Sequence, residues 1–238
     1  MTGPSLWQRI LDYLEAGSQA LFGVFETRAP TESVVFSIAF IALAAKLAKA
    51  DGTVTRDEVT TFRRIFEIPP EEEANAARVF NLCRQETTGF ETYARQLSGV
   101  LASIPNGDMH REDVLDGLFH IAVADGEYHD EEDVFLWRVA EVFGLHADIY
   151  LRLRARHVPE FRDPYAILGV SAEVSLDELR AVRRRYVTDN HPDMLISKGL
   201  PREMIELANA RLASFNQAYD EITLLKSGFE GRVSGQEG

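Results

Sequence analysis

His191-Pro192-Asp193 stand in a row between two stretches of helical period. An imidazole that changes charge near neutrality and a carboxylate flank a ring that fixes φ, so both polar groups are presented with little freedom. A tripeptide held this way suits recognition, because little ordering remains to be done on binding. Upstream, Arg180, Arg183, Arg184 and Arg185 spread around one helix. A basic helix face beside an exposed, rigid tripeptide reads as a docking surface.

A second set is acidic. Ala-Asp-Gly occurs at 50–52 and again at 124–126, each time followed by a polar turn and acids that open a new helix. Asp51, Glu58, Asp125 and Glu132 would supply the hard oxygen ligands of a divalent-cation site if the two repeats face each other. The spacing is not that of an EF-hand, which places glycine sixth and glutamate twelfth. Here glycine follows the first aspartate at once, and the twelfth residue counted from Asp51 is Phe62. The competing reading gives these acids helix-capping work and no ligand. His110, His120 and His129 lie among acids at spacings that match no metal site, and are expected at the surface or in loops. Nucleophile elbow, phosphate loop, dinucleotide fingerprint and His-Glu-x-x-His are all missing, so no intrinsic enzyme is expected.

The elements that carry these residues are helical nearly throughout. Thr31 or Ser33 caps a helix to about residue 50, Thr55 caps the next, and Pro70 with three glutamates opens a third. Further helices are expected near 89–103, 109–124, 130–143 and 146–157, with Gly52 and Gly126 as helix C-caps. From 163, Asp163-Pro164 starts a short turn closed by Gly169, and Ser175 with Glu178 forms a capping box. Leu176, Leu179, Val182 and Tyr186 make one face of the basic helix. After Pro201, Ile205, Ala208, Leu212, Phe215, Ala218, Tyr219, Ile222 and Leu225 recur at three and four. Alternating Val/Ile/Thr strands are absent, and the fold class is all-α.

The chain of 238 residues carries a net charge of −13, which speaks against a nucleic-acid partner. Residues 1–162 hold 16 Lys/Arg against 26 Asp/Glu, and 163–238 hold 9 against 12, a division that points to two units. The single cysteine, Cys83, reads as core and gives no sign of an oxidising compartment. The apolar run at 34–45 is too short to cross a bilayer, for which about 20 residues are needed. Residues 5–25 are amphipathic, with Leu6, Trp7, Ile10, Leu11 and Leu14 on one face. The polar face lacks the basic excess of membrane-surface helices, so packing against its own domain or against a partner is expected.

The doubled Ala-Asp-Gly turn across roughly 33–157 resembles the TerB-like domain, which implies an acidic helical bundle serving interaction, with cation binding as an option. Asp-Pro-Tyr, Leu-Gly-Val, the basic helix, His-Pro-Asp and Phe-Asn-Gln-Ala-Tyr, in that order across 163–227, resemble the J-domain of DnaJ-type co-chaperones. That resemblance implies that His191, Pro192 and Asp193 contact a DnaK-type chaperone and promote its ATP hydrolysis, with Arg180, Arg183 and Arg184 holding the partner. Val182-Arg183 stands where many such domains have Ala-Tyr, and Asp189 where a basic residue is common. Both domains together, with the loop "MLISKGLP", resemble the DjlA subgroup of bacterial co-chaperones.

The expected order is therefore an amphipathic segment at 1–30, a TerB-like bundle at 31–157, a linker at 158–162, a small antiparallel-helix J-domain at 163–227 and a flexible tail at 228–238. The leading expectation is a cytoplasmic co-chaperone without cofactor that regulates a partner ATPase. Its acidic unit would serve targeting, client contact or self-association, with peripheral attachment to the inner membrane as a variant. The alternative is a divalent-cation-binding stress-response module whose J-like tail is degenerate.

Overall fold

A computed structural model describes residues 5–15, 32–49, 56–66, 68–85, 89–102, 107–189 and 202–233. Among them there is no strand, and the fold class is all-α as the period of the sequence requires. The described residues form eleven α-helices: α1 (Leu6–Glu15), α2 (Glu32–Leu47), α3 (Arg56–Ile65), α4 (Glu73–Gln85), α5 (Phe90–Ala102), α6 (Gly107–Ala122), α7 (Asp130–Phe143), α8 (Ala147–His157), α9 (Pro164–Leu168), α10 (Leu176–Asp189) and α11 (Arg202–Val233).

Helix α2 is apolar all round and lies at the centre, buried from Ser37 to Ala45 and packed by α4, α5 and α6. A helix without a polar face has nowhere else to go. Trp7, Ile10 and Leu11 of α1 are buried in the same core, as is Cys83 of α4. The apolar face of α1 is thus used within the protein. Trp7, Phe40, Phe62 and Phe66 build an aromatic cluster with ring centroids 4.6 to 6.2 Å from Phe66.

The second Ala-Asp-Gly turn departs from the expected cap. Helix α6 stops at Ala122, turns continue through Asp125, and only then does Gly126 adopt φ 89°. The Gly126 amide donates to the carbonyl of Val123 at 3.1 Å, so the glycine closes a following turn and not the helix itself. The first copy, at 50–52, lies outside the described residues.

A second cluster of buried residues joins Ile167, Leu168, Leu179, Phe215, Ala218, Tyr219 and Ile222, with Ala155 of α8 among them. Tyr165, Val182 and Tyr186 are partly buried against it. Asp163 caps α9 by accepting from the Tyr165 amide at 2.9 Å, and Gly169 ends it at φ 65°. Ser175 and Glu178 form the expected reciprocal cap of α10: the Ser175 amide donates to Glu178 Oε2 at 2.9 Å, and the Glu178 amide to Ser175 Oγ at 3.3 Å. Leu225 departs from the apolar stripe, being 60% exposed. Helix α11 also runs on to Val233, where a tail from 228 was expected. Between the clusters, residues 159–161 form one 3₁₀ turn, and Arg162 clamps Glu221 of α11 through two hydrogen bonds of 2.8 and 2.7 Å.

Candidate functional site

Helix α10 is held by its apolar face and offers the rest to solvent. Leu179 is fully buried, and Tyr186 stacks on Phe215 of α11 with ring centroids 3.7 Å apart and planes 3° from parallel. A 14-residue helix pinned at these two points presents Arg180, Arg184 and Arg185 outward, all exposed. Arg180 pairs with Asp177 at 2.8 Å, and Arg185 lies 3.8 Å from Asp189. These are short-range pairs on one helix and are worth little in water.

Arg183, at the position where the sequence departs from its resemblance, is turned toward α11. Its guanidinium lies 4.6 Å from the centroid of the Tyr219 ring, and its Nε donates to Asn216 Oδ1 at 3.4 Å. The arginine therefore packs across the helix pair as a cation on an aromatic face while staying exposed. His191, Pro192 and Asp193 lie outside the described residues; α10 ends at Asp189, two positions before His191.

The acidic candidates have local work where the structure describes them. Asp125 Oδ1 accepts from the Glu127 amide at 3.0 Å, and the buried Glu132 accepts from the His129 amide at 2.9 Å, closing the start of α7. Asp51 and the side chain of Glu58 lie outside the described residues. Among the described residues, no group of three His, Cys, Asp or Glu side chains is gathered as metal ligands would be.

The histidines correct one expectation. His110 is completely buried in α6, 3.5 Å from Asp113, and not at the surface, because α6 is surrounded by α2, α3, α5, α8 and α11. His120 is half-buried, its ring 5.9 Å from that of His157. Burial, then the neighbouring His157 charge, push the His120 imidazole below its ordinary value.

Beside these lies a charged seam. Helix α6 offers Glu112, Asp113 and Asp116, and α8 answers with Arg152, Arg156 and His157. Arg152 donates to Glu112 at 3.0 Å, while Asp116 Oδ1 accepts from Arg156 at 2.6 Å and pairs with His157 Nε2 at 2.8 Å. Arg211 of α11 enters from the other side, 2.9 Å from Asp113 and 4.0 Å from Glu112. Asp113 and Arg211 are 1% and 2% exposed, so this is a buried ion pair. Burial alone would raise the Asp116 carboxyl. Arg156 and His157 outweigh it and hold the group well below the usual carboxylate range. Burial likewise opposes the Arg211 charge, and Asp113 beside it more than restores it.

The sequence reading passed over this seam, although two signals were present. Arg211 interrupts the stripe of Ala208, Leu212 and Phe215, and Asp113 and Asp116 interrupt that of Val114, Leu115, Leu118 and Phe119. An ion inside an apolar period marks either an error of period or a buried pair.

Comparison with known proteins supplies the relationships. The family model "Tellurite resistance protein TerB" matches residues 37–155, half of the chain. The co-chaperone protein DjlA of Pasteurella multocida is 25% identical over 85% of this chain and 83% of its own, and that of Vibrio cholerae is 26% identical over 87% and 84%. The DjlA of Shewanella oneidensis is 33% identical over a shorter region, 42% of this chain and 44% of its own. No solved structure matches. The matched residues hold most of the central helix α2 and the helices packed on it; the chain belongs to the TerB family, and along most of its length it is similar to the co-chaperone DjlA.

Proposed function

We propose that the protein is a J-domain co-chaperone that binds a DnaK-type chaperone and stimulates its ATP hydrolysis, residues 163–227 forming the J-domain. The observation that carries this reading is the exposed arginine face of α10, pinned on α11 and followed in the sequence, one residue after the helix ends, by His191-Pro192-Asp193. Arg180 and Arg184 would steer and hold an acidic partner surface, Arg183 would add its charge from the Tyr219 ring, and the tripeptide would act as the trigger. The chemistry belongs to the partner: binding shifts the partner's conformational equilibrium, and this chain contributes no reacting group. Similarity to DjlA co-chaperones supports the same reading. Residues 31–157 would serve client contact, targeting or self-association.

The test is steady-state ATPase of the DnaK-type chaperone from the same organism, with wild-type chain and with His191→Gln. Several-fold stimulation by wild type and none by the variant is expected. Equal stimulation by both would remove the tripeptide from the mechanism.

A further inference from the structure

Helix α11 belongs to both buried clusters. Toward α9 and α10 it sends Phe215, Ala218, Tyr219 and Ile222. One and two turns earlier, along the same stripe, Arg211 and Leu207 meet α6 instead. Leu207, 3% exposed, lies in the core of the TerB-family unit and fills the space over Gly117 of α6. Helix α8 is shared as well, with Tyr150 and Leu153 in the first cluster and Ala155 in the second.

The two contacts of α11 on α6 differ in kind. An apolar contact such as Leu207 on Gly117 holds surfaces together but tolerates small slides and rotations. The Asp113–Arg211 pair is stricter, because a buried guanidinium moved off its carboxylate weakens the pairing that compensates two desolvated charges. Buried pairs of this sort add little net stability compared with apolar replacements, and in some proteins they select one arrangement. From Arg211 the contact passes on to the docking helix. Its guanidinium is 5.8 Å from the centroid of the Tyr186 ring, and Tyr186 is stacked on Phe215. Tyr186 lies five residues before His191 in the sequence.

We propose that Asp113 and Arg211 are positioning residues, whose ion pair sets the angle of α10 on the TerB-family unit, so that the chaperone meets the basic helix and that unit as one rigid surface. The part of this that concerns the chaperone rests on the docking reading above. The part that concerns the seam does not.

The experiment uses the full chain in four forms: wild type, Asp113→Asn, Arg211→Met and Arg211→Lys. Asp113→Asn is the informative one, since it alters only α6 and leaves α10 and α11 with their own sequence; any effect on α10 must cross the seam. Two quantities are read: amide hydrogen exchange in α10, and the concentration giving half-maximal stimulation of the chaperone ATPase together with the ceiling reached. Asp113→Asn is expected to speed exchange in α10 about tenfold while α2 and α5 keep their protection. It should raise the half-maximal concentration several-fold with the ceiling unchanged. Arg211→Met should do the same, and Arg211→Lys, which keeps a cation opposite Asp113, should recover part of both. Unchanged α10 exchange in Asp113→Asn overturns the proposal, even if Arg211→Met unfolds the second unit. Faster exchange with an unchanged half-maximal concentration also overturns it, since the partner would then be indifferent to the angle. If wild type fails to stimulate at all, the docking reading falls, and exchange alone still shows whether the seam couples the units.

Discussion

At the scale of single residues, the seam makes stability depend on pH in two windows. The His120 imidazole is depressed in the folded state from its unfolded value of 6.5, so the fold favours the neutral ring. Its contribution is complete above pH 6.5 and is lost as pH falls below that toward the depressed folded value. The Asp116 carboxyl is depressed from 3.8, so its contribution is present above that value and is lost as the solution becomes strongly acidic. Urea midpoints are expected to decline gently as pH falls below 6.5 and steeply below about 4, and His120→Gln should flatten the upper window alone. Gly117 gives a second prediction. A Cβ there would stand 2.5 Å from Leu207 Cδ2 and 2.9 Å from Phe40 Cζ, both in a packed core. Gly117→Ala should therefore destabilise by about 1–3 kcal/mol through overpacking, read as a lower urea midpoint at unchanged slope.

At the scale of elements, α10 depends on its first turn and on two buried contacts. The Ser175 hydroxyl accepts the Glu178 amide, and Ser175→Ala leaves that amide to water. A loss of about 1 kcal/mol is expected, as for other N-caps, with faster exchange concentrated at the start of α10. The arginine face should behave differently. Arg180→Ala with Arg184→Ala removes exposed charge and no core contact, so thermal stability should stay within about 0.5 kcal/mol. The same double variant should weaken chaperone stimulation several-fold and flatten its decline with added salt, because exposed charges act through a screened field. A salt dependence identical to wild type would show that these arginines do not face the partner.

At the scale of the whole molecule, the TerB-family unit and the helix pair that follows it are joined by more than a chain segment. The 3₁₀ turn at 159–161, the Arg162–Glu221 clamp, the guanidinium of Arg154 lying 3.9 Å from the Phe161 ring centroid, Leu207 in the first core and Ala155 in the second all cross between them. Calorimetry of the full chain is expected to show one cooperative transition, since neither cluster can open without exposing surface of the other. Leu207→Ala, which removes apolar contact from the first core at the point where α11 enters it, should cost about 2–5 kcal/mol and split that transition in two. Among the described residues no helix is long and apolar enough to cross a membrane.

Much of this protein is written locally. Helical period, the Asp163 and Ser175 caps, the glycine stop at 169 and the face of Leu179, Val182 and Tyr186 are fixed by residues within a turn or two of each other, and the structure repeats them. The basic face beside His191-Pro192-Asp193 is legible for the same reason, being a pattern along one helix and its end. What the sequence could not determine is which helices meet. Whether His110 sees water, whether Arg211 is a surface charge or the partner of Asp113, whether Leu225 is covered, and whether α1 turns its apolar face inward all depend on contacts between segments far apart in the chain. A charged side chain costs nothing in solvent and several kcal/mol in a core without its counterion, so its meaning is set by its surroundings and not by its neighbours in sequence. Only the tertiary structure, by bringing α6, α8 and α11 together, turned seven scattered charged residues into one seam.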